Sequence, residues 1–305
     1  MSDIKLFRIA NGAAAEITGA TTDLEKPLQA LIESNLEALL GIHFLATEYS
    51  TGKTHAGRID TLGLDEDHCP VIIEYKRSSH ENIINQGLFY LDWLMDHQAE
   101  FKLLVLERFG KAKADAIDWT TPRLICIAGD FTKYDSHAVQ QMDRNIELIR
   151  YRQFAKELLL FELVNSVAVE LPSGKKAKIT KTTGTDKTIA EWFADMSPGI
   201  RTLFDSLEGY VKSLGDDVVR KDLKLYVAFK RLRNFATVCF QKNNLLVYLR
   251  IDADKHLAQQ GFSRDVRKIG HWGTGDVELT LRNLSDLERA KPLIMEAYDG
   301  GSHAP

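Results

Sequence analysis

The sequence has few cysteines, no long apolar run and little net charge. Its 305 residues include three cysteines, Cys69, Cys126 and Cys239, and none of them forms a CxxC pair. A disulfide framework and a zinc site are therefore both disfavoured. No apolar run approaches the ~20 residues of a membrane-spanning helix, and the first residues lack the apolar core of a signal peptide. We therefore expect a cytoplasmic protein without a membrane segment.

The composition is typical of a globular protein, with 44% hydrophobic and 27% charged residues. The net charge of −4 argues against a strongly cationic nucleic-acid coat, although a local basic groove is compatible with it. Residues 172–188 are polar, basic and nearly free of large apolar groups, so we interpret them as a linker. The sequence thus predicts one domain over residues 1–171 and a second over residues 189–300.

Hydrophobic periodicity predicts an α/β first domain and a smaller α+β second domain. In the first domain we predict a helix from residue 25 to about 40, one from about 80 to 96 and one from 136 to about 145. Residues 103–106 fit either a strand or a helix. In the second domain, helices are predicted near both ends and a meander of strands between them.

The most informative stretch is residues 57–76, which reads as two strands around a polar turn. In the expected register Asp60 lies opposite Glu74, and Arg58 lies opposite Lys76. Since strand side chains alternate between faces, Asp60, Glu74 and Lys76 converge on one face. Their neighbours on that face are apolar: Leu62, Leu64 and Ile72. Burying charge is costly unless it is paired or bound to a metal, so the pattern predicts a divalent-cation site beside a lysine.

This set of residues suits metal-dependent cleavage of phosphodiesters. Two carboxylates offer the hard oxygen ligands that Mg²⁺ or Mn²⁺ prefers, and the Tyr75 carbonyl is a natural third. A bound cation lowers the pKa of a water molecule and offsets transition-state charge. Lys76 would orient that water or stabilise the developing charge. The spacing alone leaves a salt-bridged surface hairpin as the alternative.

Two neighbouring helices carry further polar side chains. Gln86 and Tyr90 are four residues apart, so they share one face of the helix that follows the strand of Glu74. The helix beginning near residue 25 carries an i, i+4 polar stripe, made of Glu25, Gln29, Glu33 and Glu37. This stripe is either a solvated face or the source of one glutamate that enters the site.

The segments GRID at 57–60, VIIEYKR at 71–77 and QGLFY at 86–90 resemble the core of the PD-(D/E)XK nuclease superfamily, in particular its RecB-like, NucS-like branch. The resemblance covers roughly residues 20–165, with Ile59 where the motif often has proline. It implies a restriction-endonuclease-like mixed sheet flanked by helices and a Mg²⁺ or Mn²⁺ cofactor. It also implies that a helix glutamate joins Asp60 and Glu74, with Glu25 the first choice, then Glu33 and Glu37.

The whole chain also resembles a bacterial family labelled "predicted transport protein", which has a C-terminal domain of unknown function. That label carries no weight here, because the sequence has no membrane segment. The resemblance to nucleases implies a metal-dependent nuclease acting on DNA in defence, restriction or repair, with RNA not excluded. The competing hypothesis is an inactive nucleic-acid-binding or protein-interaction module on the same fold. A homodimer is compatible with cutting two strands.

Basic and aromatic residues provide candidates for nucleic-acid contact. Around the predicted site these are Lys53, Arg58 and Arg77. In the second domain Lys224, Lys230 and Arg231 could contact phosphates, or form a solvated sheet face instead. The glycine-rich loop 270–275 contains His271 and Trp272, which either stack a base or pack into the domain.

Overall fold

The computed structural model describes residues 4–20, 25–52, 56–76, 82–155, 157–167, 187–256 and 258–300. The chain divides into two compact units, Met1–Val169 and Glu170–Pro305. Of the predicted linker, residues 172–186 lie outside the described residues. The last of its residues, Thr188, caps a helix, because its side chain accepts a hydrogen bond from the backbone N–H of Glu191.

The first unit contains nine strands and six helices among the residues described. The strands are β1 (Leu6–Ala10), β2 (Ala13–Ile17), β3 (Gly19–Ala20), β4 (Ile42–Ser50), β5 (Arg58–Asp65), β6 (Pro70–Lys76), β7 (Arg123–Ala128), β8 (Asn145–Phe154) and β9 (Leu158–Val167). The helices are α1 (Glu25–Ser34), α2 (Leu36–Leu40), α3 (Ile83–Asp96), α4 (Gln98–Phe109), α5 (Lys111–Asp115) and α6 (Lys133–Gln140).

The central sheet of this unit is mixed and has seven strands in the order β3-β8-β7-β6-β5-β4, with β9 also paired to β8. Strands β6, β7 and β8 are parallel, and the remaining pairs are antiparallel. Strands β1 and β2 form a separate hairpin. The predicted mixed sheet flanked by helices is therefore confirmed. The β6–α3–β7 crossover places the strand of Glu74 in the middle of the sheet.

The two faces of this sheet are covered by different helices. Leu62, Leu64 and Ile72 pack in one core cluster with Leu91 and Leu94 of α3, so α3 covers their face. Helix α1 lies on the other face, where its Glu33 accepts a hydrogen bond from Thr61 of β5 at 2.6 Å. Strand alternation thus sorts the hairpin side chains between α3 and α1.

Two local predictions need correction, and one open alternative is resolved. The predicted helix from 25 to 40 is broken at Asn35, since α1 ends at Ser34 and α2 begins at Leu36. Residues 103–106 belong to α4 and are helical. The helix predicted from 136 to 145 begins instead at Lys133, because Thr132 and Asp135 form a capping box, and it ends at Gln140.

The second unit is a six-stranded antiparallel sheet with helices packed on one face. Its strands are β10 (Val219–Asp222), β11 (Val227–Lys230), β12 (Asn234–Phe240), β13 (Leu245–Leu249), β14 (Ser263–Asp265) and β15 (Val277–Leu281), in the order β10-β11-β12-β13-β15-β14. The helices α7 (Ile189–Asp195), α8 (Pro198–Ser213) and α9 (Leu284–Tyr298) contribute side chains to one core with this sheet. The predicted α+β architecture is confirmed, and β14 is a strand that the sequence patterns did not indicate.

Among the described residues, no helix is both long enough and apolar enough to span a membrane.

Candidate functional site

The hairpin of β5 and β6 stops pairing at the position of the predicted carboxylates. Registered pairs run from Leu64–Pro70 to Thr61–Ile73. The next two positions, Asp60 and Glu74, interact through side chain and main chain instead. The Asp60 N–H donates to Glu74 Oε1 at 3.3 Å, and the Tyr75 N–H donates to Asp60 Oδ2 at 3.0 Å. Both carboxyl groups therefore lie where the two strands separate, in the register that the sequence predicts.

Glu74 is fully buried, with 0% of its surface exposed. Its Oε1 accepts the hydrogen bond from Asp60, but its Oε2 is buried and has no hydrogen-bond partner among the residues that the structure describes. Burial and the nearby charge of Asp60 raise the pKa of Glu74 to about 9. A buried carboxylate oxygen without a partner raises the free energy of the folded state. Binding a proton or a cation at this position would relieve that penalty.

Asp60 and Lys76 complete the charged group around Glu74. Burial raises the pKa of Asp60, while the Tyr75 N–H and the charge of Lys76 oppose that rise. The charge of Lys76 also lowers the pKa of Glu74. Lys76 therefore lies close enough to both carboxyl groups to favour their ionised forms, and the structure brings together the three side chains that the hairpin pattern singled out.

The opposite face of the hairpin holds Glu33, away from Glu74. The Thr61 hydroxyl lies within hydrogen-bonding distance of the Tyr75 hydroxyl, at 3.3 Å, and of the Glu33 carboxylate, at 2.6 Å. Glu37, the other reserve candidate, is largely exposed and lies 3.5 Å from His43. Neither Glu33 nor Glu37 joins the Asp60–Glu74 pair, because α1 and α2 place them on other surfaces.

Glu25 is the member of the stripe that acts on the site. It begins α1, and its charge raises the pKa of Asp60. The next residue of the stripe, Gln29, donates a hydrogen bond from its side chain to the Asp60 carbonyl oxygen at 2.9 Å. Helix α1 is thus attached to the main chain of Asp60, and Glu25 is the helix glutamate whose charge reaches the pair.

A further acidic residue at the site, Glu48, was not among the sequence candidates. The pairs Thr47–Thr61 and Tyr49–Ile59 place it opposite Asp60 on β4. Its charge also raises the pKa of Asp60. Glu48 has a backbone φ of 49°, and β4 contains a register shift between Phe44 and Ala46. Finding Glu48 from sequence would have required locating that irregularity, which local patterns do not reveal.

Helix α3 supports the start of β5 through Gln86 and Tyr90. The Tyr90 hydroxyl accepts hydrogen bonds from the backbone N–H of Arg58 at 3.2 Å and from Gln86 Nε2 at 3.3 Å. Gly57 makes this contact possible, because a Cβ there would lie 2.5 Å from Tyr90 Cε1. Gln86 and Tyr90 therefore hold the strand that carries Asp60.

We expect Gly57→Ala to destabilise the protein by about 1–3 kcal/mol, the usual cost of overpacking. The added methyl group would displace Tyr90 and, with it, the strand two residues before Asp60. Urea denaturation followed by circular dichroism measures the effect. Gly209→Ala is the matched control, because a Cβ at Gly209 meets nothing within 4 Å. Equal stabilities of the two variants would contradict this packing argument.

The basic candidates near the site occupy varied positions. Arg58 pairs with Ser50 of β4 in the sheet, and its side chain is ion-paired with Glu48 at 2.5 Å. The predicted Arg58–Lys76 pair does not form, because the β5–β6 ladder ends before it. Lys53 and Arg77 lie outside the described residues.

The predicted basic face of the second unit is largely neutralised or buried. Lys230 is only 5% exposed. Arg231 pairs with Asp217 at 2.5 Å and donates to the Tyr298 carbonyl oxygen. Lys224 is exposed. Two of these three candidates therefore serve the fold.

A cation at the pair would have few protein ligands. Among the residues that the structure describes, no group of three or more His, Cys, Asp or Glu side chains could hold a metal ion. The unpartnered Glu74 oxygen and the adjacent Asp60 carboxylate nonetheless fit Mg²⁺ or Mn²⁺. Mg²⁺ usually keeps several waters and takes only one or two carboxylates in addition to substrate phosphates.

Both units of the chain are similar to known proteins. Residues 189–300 match the family described as "Domain of unknown function (DUF5655)". An uncharacterized protein of Haemophilus influenzae is 28% identical over 302 residues, which cover 96% of this chain and 99% of that protein. The alignment therefore covers nearly the full length of both proteins.

Two solved structures are similar to part of the chain. A repair endonuclease from Pyrococcus abyssi is 19% identical, with a TM-score of 0.28, over 43% of this chain and 49% of its own. An EndoMS–dsDNA complex is 22% identical, with a TM-score of 0.25, over 43% of this chain and 46% of its own. The matched region thus spans about half the length of each.

Proposed function

We propose that the first unit is a metal-dependent nuclease that hydrolyses phosphodiester bonds, with DNA as its substrate. The observation that carries the proposal is the buried Glu74 Oε2, which adjoins Asp60 where β5 and β6 separate and has no hydrogen-bond partner in the described part of the chain. A structural salt bridge would have used this oxygen. A site that receives a cation leaves it available.

Each residue at the site would have a role that follows from its position. Asp60, Glu74 and the Tyr75 carbonyl would hold Mg²⁺ or Mn²⁺, with the charge of Glu25 adding to the attraction. When bound, the cation would acidify a water molecule and offset charge on the phosphate. Lys76, near both carboxyl groups, would orient the attacking water and donate to the phosphate oxygen. Gln86 and Tyr90 would hold the strand of Asp60 in place.

We expect Lys76→Met to lower the rate of plasmid cleavage by roughly a hundredfold or more, the usual contribution of a positioned catalytic group. The assay follows conversion of supercoiled plasmid and of single-stranded DNA, with Mg²⁺, Mn²⁺ or EDTA, and RNA is included as a further substrate. Lys102→Met is the matched control, since Lys102 forms an exposed ion pair with Asp115.

The outcomes separate nuclease from binding module. Cleavage that requires Mg²⁺ or Mn²⁺, is lost in Lys76→Met and persists in Lys102→Met supports the proposal. Cleavage that persists in Lys76→Met means that another site is responsible. If the wild-type protein cleaves neither DNA nor RNA but binds DNA tightly, and the Lys76 variant binds equally well, the protein is a binding module on this fold.

A further inference from the structure

The second unit contains a cavity of about 730 Å³ that the proposed nuclease site does not use. Its lining includes Cys239 of β12, Leu246 and Tyr248 of β13, and His271 and Trp272 of the following loop. Cys239, Leu246 and Tyr248 alternate along their strands with Val238 and Val247, which belong to the helix-packed core. These three side chains therefore lie on the sheet face that the core cluster leaves uncovered, while Trp192 and Phe240 of the core also line the cavity.

An exposed indole is held in this cavity by an anchored loop. Trp272 is 53% exposed, although its loop is attached to β12 at several points. Gly273 has a φ of 81°, and a Cβ there would lie 2.4 Å from Thr237 Oγ1. Thr237 Oγ1 also donates to the Thr274 carbonyl oxygen at 3.1 Å, and Cys239 Sγ donates to that of Trp272 at 3.7 Å. These contacts hold the loop in one conformation. A ligand that binds against Trp272 would therefore lose little additional conformational entropy from the loop.

A second flat surface lies beside the indole. The rings of Tyr248 and His271 are stacked, with centroids 4.3 Å apart and an interplanar angle of 4°. Burial raises the pKa of Cys239 to about 12, so its thiol stays protonated and the cavity offers no ready thiolate. The lining is therefore suited to holding a planar ring and not to nucleophilic chemistry.

Basic side chains lie in the cavity lining or next to it in sequence. Lys187 and Arg264 line it, the first ion-paired with Asp195 and the second with Glu278. Lys242 follows the lining residue Gln241, and Lys268 precedes the lining residue Ile269. Both of these lysines are exposed. Among the described residues neither forms an ion pair, although the charge of Lys268 lowers the pKa of nearby Asp265.

We infer that this cavity binds an unpaired base of a nucleic-acid strand, with Trp272 stacking on the base and Lys242 and Lys268 contacting the flanking phosphates. The identity of the strand rests on the proposed function, whereas the stacking site rests on the cavity itself. Aromatic platforms combined with a basic groove are the common means of binding single strands. The second unit would thereby supply substrate recognition to the first.

The test measures binding without cleavage. Fluorescence polarisation of labelled (dT)12 and (U)12 is recorded with the full chain in EDTA. We expect Trp272→Leu, which keeps apolar bulk but removes the π face, to weaken binding roughly five- to a hundredfold. Trp272→Phe should restore much of it. Leu284→Ala, an exposed apolar position outside the cavity lining, should bind as the wild type does.

The outcomes distinguish this inference from the proposed function. Unchanged binding by Trp272→Leu, with circular dichroism like that of the wild type, overturns the inference. Binding of free thymidine monophosphate with no binding of either oligonucleotide also overturns it, since the ligand would then be a small metabolite. If Trp272-dependent binding is present but no DNA or RNA is cleaved in Mg²⁺ or Mn²⁺, the nuclease proposal fails and the stacking site stands.

Discussion

Replacing Glu74 with Gln is expected to reduce Mg²⁺-dependent DNA cleavage by roughly a thousandfold or more. Loss of one cation ligand removes several kcal/mol of charge stabilisation, and each ~1.4 kcal/mol corresponds to a factor of ten in rate. The substitution is nearly isosteric, and a glutamine oxygen can still accept the Asp60 N–H that Glu74 Oε1 accepts now. Initial rates of plasmid nicking with Mg²⁺ and Mn²⁺ measure the effect.

The same substitution is expected to stabilise the fold in EDTA. The pKa of Glu74 is raised from 4.5 to about 9. Between these two values the folded state retains a proton that the unfolded state has released. Stability therefore falls as pH rises through this window, by at most about 1.4 kcal/mol per pH unit. The neutral amide of the Glu74→Gln variant carries no such penalty, so the advantage of the variant grows from pH 5 to pH 9.

Mg²⁺ should reverse this order of stability. A ligand that binds only the folded state stabilises it by an amount that grows with the logarithm of its concentration relative to Kd, so the wild type gains in Tm on adding Mg²⁺ and Glu74→Gln does not. Thermal denaturation at pH 6 and pH 8, with EDTA or Mg²⁺, measures both effects. Glu107→Gln, at an exposed position of α4, is the matched control. A Glu74→Gln variant that is less stable than the wild type at pH 8 in EDTA would contradict the raised pKa of the Glu74 carboxyl group.

Arg123→Ala is expected to cost about 3–5 kcal/mol of stability, as breaking a buried ion pair commonly does. Arg123 donates to Asp65 at 2.9 Å and to both oxygens of Glu147 at 2.9 and 3.1 Å, and its side chain is only 6% exposed. Burial alone would lower the pKa of this guanidinium, but the charges of Glu147 and Asp65 outweigh burial and raise it. Removing Arg123 leaves two buried carboxylates without their cation.

Urea denaturation followed by circular dichroism measures this loss. Arg144→Ala is the matched control, because Arg144 is exposed and lies just before the same strand, β8. Its stability should stay within about 0.5 kcal/mol of the wild type. A loss of under about 1 kcal/mol in Arg123→Ala, well below the usual cost of breaking a buried pair, would show that the buried network is dispensable to the fold.

Local patterns were sufficient for the hairpin. A polar turn between two apolar strands determines which residues lie opposite each other, and alternation then determines the face. For this reason the position of Asp60 opposite Glu74 could be predicted, and the observed register of Thr61 with Ile73 agrees with it. The spacing of Gln86 and Tyr90 likewise predicts a shared helix face, and the two side chains are hydrogen-bonded.

Non-local contacts decided the rest. The i, i+4 stripe of α1 does not reveal which glutamate faces the carboxylate pair, because that depends on how the helix packs against the sheet. Packing places Glu33 with Thr61 on the far face and leaves Glu25 to act on Asp60. Glu48 reaches its place opposite Asp60 only through the irregular pairing of β4 with β5, which no segment specifies by itself.

The sequence by itself therefore determined the α/β class of the first unit and the placement of Asp60 opposite Glu74, because both follow from short-range periodicity. The mixed sheet flanked by helices was implied by the resemblance to nucleases. Only the tertiary structure decided that Glu74 is fully buried, with one oxygen that has no partner among the described residues. Only the tertiary structure showed that Trp272 is exposed and lines a cavity. Burial is a property of packing between distant segments, and the same residues in the same local pattern would be solvated if those segments packed differently.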